Sequence, residues 1–313
     1  MTAIDLVMVM IFLLQIIVGL LGNFYLLYHY LLLYLTGWGF RSTDLILKHL
    51  TIANSLVILS KGVPHMMAVW GLKEFLNDIR SKFVFYVHRV CRNVSIGTVC
   101  LLSLFQMIII SPRDSRWGWL KVKASKYLGS SNILCWILNI MFSIIIPMYI
   151  TGKWSHQNVT KAKSYDYCYS RGPDYIAQLL HLASVLFHDG FCLGLMIWAN
   201  GSMVLILHRH KQQVQYIHSN NLSTRSSPES TATQSILILV ITFVFLCILS
   251  FIFHNCSVIF DNPSWWLMNT TTLITACFPT VSPYILMSHD SRLSRFCFVK
   301  KRNTKLLKFT INV

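Results

Sequence analysis

Charged side chains are scarce in this chain of 313 residues. Only 12% of the residues are charged, whereas a soluble domain carries roughly 25%, and acidic residues number only 11. A soluble surface needs more charge than this, so the composition argues against an ordinary cytosolic enzyme. It also excludes a disordered chain, because 54% of the residues are hydrophobic and the mean hydropathy is +0.54.

Motifs for catalysis and metal binding are missing as well. The 12 histidines are scattered along the chain. The sequence contains no His-Glu-x-x-His motif, no metal-type pair of cysteines and no nucleophile elbow. No internal repeat is visible, which weakens the interpretation as an inverted-repeat transporter. We therefore expect no enzymatic activity, no cofactor and no metal site.

The chain instead has seven long apolar stretches. A helix needs about 20 residues to cross the hydrocarbon core of a membrane, and each stretch is long enough. They lie at 6–33, 45–69, 82–111, 130–150, 177–207, 235–260 and 265–287. We predict an all-α fold made of one seven-helix transmembrane bundle in a lipid bilayer, followed by a basic cytoplasmic tail at 288–313.

The distribution of basic residues predicts the orientation of this bundle. The net charge is +16, from 27 Lys and Arg against 11 Asp and Glu. Sixteen of the basic residues lie in the loops of one side and the tail, and six lie in the loops of the other side. Basic residues collect in cytoplasmic loops, so we expect the N-terminus outside and the C-terminus inside. The division of this charge among separate loops argues against binding of nucleic acid.

One glycosylation sequon agrees with this orientation. It begins at Asn158, in the predicted outer loop between the fourth and fifth stretches. The glycosylation machinery acts on that side of the membrane. We expect Asn158 to carry a glycan.

Several charged side chains lie inside the predicted helices. Arg89 and Arg92 share one face of the third helix, roughly 10–15 Å from its outer end at 1.5 Å of rise for each residue. The carboxylate at comparable depth is Asp189 in the fifth helix, next to His188. Charged groups within a membrane are costly and mark candidate functional sites. Our candidate ligand-binding residues are Lys61, His88, Arg89, Arg92, Asp189 and His254.

Two interpretations of these charges stay open. In the first, Asp189 pairs with an arginine and the lysines extend their ammonium groups towards the surface. In the second, the surplus of cations lines an outward-facing wet cavity. Such a cavity would suit a ligand with a sulfate, phosphate or carboxylate group.

The seven predicted helices suggest a G-protein-coupled receptor, although the usual motifs are absent. The third helix ends with Phe105–Pro112 instead of Asp-Arg-Tyr, and Phe278–Met287 lacks an Asn-Pro-x-x-Tyr motif. Asn54 stands near the position where rhodopsin-like receptors carry a sodium-binding Asp.

Other segments are similar to the vomeronasal type 1 receptors, the pheromone receptor family. The resemblance runs from about Gly22 to Lys301, nearly the whole chain. Its most specific segments are His49–Pro64, Phe83–Val90, Ser95–Thr98, Pro147–Trp154, Leu207–Gln212 and Asn262-Pro263.

The resemblance implies a plasma-membrane chemosensory receptor with a small-molecule ligand and a heterotrimeric G protein of the inhibitory type. The candidate contacts with the G protein are basic residues of the inner loops. They are Arg113, Arg116, Lys121, His208, Arg209 and Lys211.

The cysteines depart from the family pattern. The family carries a Cys at the outer end of the third helix that pairs with an outer-loop Cys, and this chain has Ser81 there. Of its nine cysteines, only Cys168 lies in a predicted outer loop, so we expect no disulfide. Cys297 follows the last helix among aromatic and basic residues, where it is either S-acylated or a free thiol.

Two further hypotheses remain beside the receptor. Ser81 makes a degraded or poorly signalling receptor of the same family plausible. A transporter or channel would need repeat symmetry or acidic residues along a path, and Asp189 is the only deep acid in the sequence.

Overall fold

The computed structural model of the chain describes most of the predicted helices. The described residues are 3–37, 41–69, 78–111, 118–144, 150–152, 164–165, 168–170, 175–217, 241–242, 244–250, 252–253 and 265–289. Long helices dominate them, which confirms the prediction of a helical fold.

Six long helices and one set of shorter helical segments follow one another in the described part of the chain. The helices are α1 (Ala3–Thr36), α2 (Ser42–Val69), α3 (Asp78–Ile110), α4 (Gly118–Ser143), α5 (Tyr175–Ile217) and α7 (Trp265–His289). Helical backbone at 241–242, 244–250 and 252–253 belongs to the sixth predicted helix, and we label it α6.

Four of the described helices are long and apolar enough to cross a membrane. The qualifying spans are Leu6–Thr36, Ser42–Pro64, Ile79–Ile110 and Leu186–Ile206. Large apolar side chains also point away from the bundle, and examples are Leu21 (64% exposed), Phe142 (70%) and Phe187 (76%). An apolar exterior around a partly polar interior is the arrangement expected of a bundle in lipid.

The predicted bounds of the fourth helix, 130–150, were wrong at both ends. The helix begins at Gly118 and ends at Ser143. Its first turns carry Lys121, Lys123 and Lys126, which lower the hydropathy although lysine is a good helix former. Pro147 follows the C-terminal end, and the residue before a proline avoids the helical conformation.

A small antiparallel sheet lies between α4 and α5, and the sequence analysis did not predict it. Its strands are β1 (Ile150–Gly152), β2 (Ser164–Tyr165) and β3 (Cys168–Ser170), in the order β1-β3-β2. Cys168 lies opposite Gly152 of β1 and Tyr165 of β2. Since β1 packs on α3, the sheet lies against the same helix that carries the candidate charges.

α3 is the central helix of the described bundle. It packs against α2, α4 and α5, while α1 packs against α2 and α7. Gly97 allows α4 to come close, because a Cβ atom at this position would lie 2.6 Å from the Sγ of Cys135. Small residues at helix contacts are typical of membrane bundles, in which close packing replaces the hydrophobic effect.

Candidate ligand and switch site

A partly buried ion pair joins α3 to α5. An Nη of Arg92 donates a hydrogen bond of 2.8 Å to an Oδ of Asp189, and the side chain of Asp189 is only 5% exposed. The other Oδ lies 3.2 Å from Nδ1 of His188. A charge-assisted bond of this length is strong, and it satisfies a carboxylate that would otherwise be costly to bury.

The pairing supports the first of the two interpretations for Asp189. Of the two arginines on this face of α3, Arg92 reaches the carboxylate. Arg89 lies one helical turn nearer to the N-terminal end of α3 and is partly buried. The sequence did not distinguish between them, because residues three apart on a helix point in similar directions.

Lys61 and His88 line a second part of the site, between α2 and α3. Nδ1 of His88 lies 3.4 Å from the hydroxyl of Ser60. Lys61 and His88 border a cavity of about 20 Å³. Gln15 of α1 and Thr272 of α7 line the other side of this cavity. Lys61 therefore contributes to an interior surface of the bundle.

Gln15 of α1 borders this cavity. Its side-chain N–H group donates to the backbone carbonyl of Leu273 at 3.1 Å. Its Oε1 is buried and has no hydrogen-bond partner among the described residues. Lys61 and Gln15 both border the cavity, whose surface is almost entirely apolar. The sequence analysis missed Gln15, whose signal is a lone amide within an apolar stretch.

Asn54 connects three helices below these charges. Ser95 of α3 donates to Oδ1 of Asn54 at 2.8 Å, and Nδ2 of Asn54 donates to the hydroxyl of Ser282 in α7 at 3.0 Å. Asn23 of α1 donates to the carbonyl of Pro279 at 2.8 Å. All four side chains are buried. Buried amides that are hydrogen-bonded in this way fix the relative positions of helices.

The candidate G-protein contacts are only partly described. Lys121 is partly buried in the first turn of α4, and His208 and Arg209 are exposed near the end of α5. Lys211 belongs to the same helix. Arg113 and Arg116 lie outside the described residues.

Other predicted sites lie wholly or partly outside the described part of the chain. His254, Asn158 and Cys297 are among them. The backbone of Cys168 is described in β3, and Ser81 is fully buried near the start of α3. No group of three or more His, Cys, Asp or Glu residues that could hold a metal ion occurs among the described residues.

Comparisons with known proteins agree with one another. Residues 6–299 match the model of the vomeronasal organ pheromone receptor family. The chain is 57% identical to the human vomeronasal type-1 receptor 3 over 91% of its length and 92% of that protein. It is 54% identical to the human vomeronasal type-1 receptor 2, over 93% of this chain and 74% of that protein. It is also 28% identical to the rat vomeronasal type-1 receptor 90, over 91% and 92% of the two chains.

Proposed function

The chain belongs to the vomeronasal organ pheromone receptor family, and from this premise we propose that it is a chemosensory receptor of the plasma membrane that signals through an inhibitory-type heterotrimeric G protein. The bundle would have seven spans, with its N-terminus outside. The excess of Lys and Arg on one set of loops supports this orientation.

The ligand is a small molecule with an anionic group. The observation that carries this proposal is the arrangement of charge around α3. Asp189 neutralises Arg92, while Arg89 and Lys61 add two further cations at similar depth on α3 and α2. Cations in a medium of low dielectric constant attract an anion more strongly than they would in water.

The ligand would act by changing the helix contacts that surround these cations. A ligand shifts a conformational equilibrium only through a difference in its affinity for the two states. An anion near Arg89 and Arg92 would compete with Asp189 for Arg92. Weakening that bond would free α5 to move relative to α3. The exposed inner part of α5, which carries His208 and Arg209, would transmit the movement to the G protein.

A reporter assay tests the coupling. Cells expressing the chain would be exposed to a panel of small sulfated and neutral compounds, and inhibition of cyclic AMP synthesis would be recorded. We expect a response that pertussis toxin abolishes, because this toxin inactivates inhibitory-type G proteins. A response that persists in the toxin would contradict the proposed coupling.

A receptor that signals poorly is the second candidate function. Ser81 favours it, since the family disulfide cannot form at this position. The comparison of the wild-type chain with Ser81→Cys, described in the Discussion, separates the two.

A further inference from the structure

A second cavity lies between α3, α6 and α7. Its volume is about 40 Å³, and the α3 residues that line it lie four to eight residues after His88. Its polar lining consists of Arg92, Ser95, Ser250 and Thr275. Apolar side chains, Phe278 among them, complete the wall. Of its lining residues, only Arg92 also belongs to the proposed ligand site.

The hydrogen atoms of the three hydroxyl groups have protein acceptors. Ser95 donates to Asn54 at 2.8 Å, and Thr275 donates to the carbonyl of Thr271 at 2.7 Å. The hydroxyls of Ser250 and Thr275 are 3.3 Å apart. Because the hydrogen of Thr275 is already used, Ser250 is the donor in that contact. The three hydroxyls therefore present oxygen lone pairs to the cavity.

Arg92 supplies the donors. A guanidinium carries five N–H groups in a planar fork. One Nη bonds Asp189, and the same side chain borders the cavity. The cavity thus combines the N–H donors of Arg92 with hydroxyl acceptors, and an occupant must both accept and donate hydrogen bonds.

This pattern selects among small occupants. An anion in this cavity would be repelled by the lone pairs of the three hydroxyls. A metal cation would meet the guanidinium. Water both accepts and donates hydrogen bonds. A buried water needs a cavity of about 10–15 Å³ and two to four polar partners. This cavity meets both conditions.

We propose that this cavity is a hydration site whose water bridges Arg92 to Ser95 and Ser250. The bridge extends the ion pair between α3 and α5 to α6. Through Ser95 it also reaches the hydrogen bonds of Asn54 and Ser282. A water that makes such bonds stabilises a structure nearly as well as a direct hydrogen bond does. The site does not depend on ligand binding or on signalling.

Radiolytic labelling of the purified chain tests this site with the occupant itself. A short X-ray pulse in ¹⁸O-water creates hydroxyl radicals from water molecules next to a side chain, and mass spectrometry locates the oxygen that is added. Phe278 lines the cavity and is 5% exposed, whereas Phe105 is 7% exposed and does not line it. We expect Phe278 to be labelled several-fold faster than Phe105. Equal rates in the wild-type chain would overturn the proposal.

Variants of Ser250 show whether the labelling comes from this cavity. Ser250→Val adds two methyl groups that displace the water, so the rate at Phe278 should fall to that of Phe105. Ser250→Ala leaves the space open and should keep the difference. Ser250→Thr, with one added methyl group, replaces the valine variant if that variant does not fold. If Phe278 is still labelled fast in a folded Ser250→Val or Ser250→Thr variant, the labelling water lies elsewhere, and the proposal is overturned.

Discussion

At the scale of single residues, Arg92 and Asp189 stabilise the bundle only as a pair. Asp189 is buried and Arg92 is partly buried beside it, and the removal of one partner leaves an uncompensated charge in a medium of low dielectric constant. The loss of one partner of a buried pair typically costs about 3–5 kcal/mol, whereas replacement of both by neutral groups costs much less.

We therefore expect Arg92→Gln and Asp189→Asn each to lower the melting temperature of the detergent-solubilised chain. Arg92→Gln should have the larger effect, because Asp189 is the more deeply buried partner. The double variant should be more stable than the sum of the two losses predicts.

Arg89→Gln is the matched control. This variant removes a cation from the same helix. Among the described contacts, the guanidinium of Arg89 makes no hydrogen bond to Asp189. Its melting temperature should stay close to that of the wild-type chain. If the loss of melting temperature in the variant with both Arg92→Gln and Asp189→Asn equals the sum of the two single losses, the result contradicts a direct pair.

The sequence predicted this residue-level chemistry only in part. It identified Asp189 as the deep acid and two arginines as its possible partners. It did not predict that Arg92 is the partner, because this choice depends on the rotation of α5 about its axis. The bonds of Asn54 to Ser95 and Ser282 join residues that are 41 and 228 positions apart in the chain. Only the packing of three helices brings these side chains together.

At the scale of helices, the contact between α3 and α4 depends on Gly97. A Cβ atom at this position would lie 2.6 Å from the Sγ of Cys135, closer than two such atoms can approach. We expect Gly97→Ala to lower the melting temperature, because the helices must separate or Cys135 must change rotamer.

Two further variants isolate the steric cause of this loss. Cys135→Ala in the Gly97→Ala background should restore part of the stability, since it removes the atom that clashes. Gly194→Ala is the matched control, because no atom of another described helix lies within 4 Å of its added Cβ. A loss at Gly194 as large as that at Gly97 would show that the clash is not the cause.

Ser81 lies on α3, the helix against which the small sheet packs. It is fully buried near the start of α3, β1 packs on the same helix, and Cys168 lies opposite Gly152 of β1. We expect Ser81→Cys to form a disulfide with Cys168 and to raise both surface expression and melting temperature. Disulfides typically stabilise by about 2–4 kcal/mol.

Ser81→Cys/Cys168→Ser is the control, in which the new thiol has no partner. It should lose the gain in expression, and labelling of free thiols under denaturing conditions should detect the additional cysteine. If Ser81→Cys changes neither expression nor stability, the absent disulfide does not limit this receptor.

The accuracy of the helix predictions differed between elements for a physical reason. The bounds of α1, α2, α3 and α7 lie within four residues of the predicted ones, because an apolar run that spans a membrane is also a helix. Hydropathy measures preference for lipid, and it therefore missed the lysine-rich start of α4. It also missed the sheet, whose strands of two or three residues are too short to show a period.

At the scale of the whole molecule, the orientation of the bundle depends on the distribution of charge among its loops. If the loop after α4 is outside, Asn158 carries a glycan. Asn158→Gln should then lower the apparent mass on a gel to that of the enzymatically deglycosylated protein. Asn221→Gln, which removes a sequon from a loop predicted to be inside, should change nothing. A shift with Asn221→Gln and none with Asn158→Gln would indicate the opposite orientation.

Membership of the family and the helical fold agree with what the sequence predicted, and the nature of the ligand is the central proposal. It depends on Lys61 and Arg89, two cations that belong to different helices and lie at similar depth. Replacing these cations should lower the potency of ligands that have an anionic group. The potency of neutral analogues of the same shape should not change.

The most direct measurement is the ratio of potencies of a sulfated ligand and its neutral analogue in the signalling assay. For the wild-type chain we expect the sulfated compound to be more potent by about tenfold or more, which corresponds to about 1.4 kcal/mol. In Arg89→Gln and Lys61→Gln, at matched surface expression, the ratio should fall towards one. Equal potency of the two compounds on the wild-type chain, or a ratio that both variants leave unchanged, would contradict the recognition of an anion by these cations.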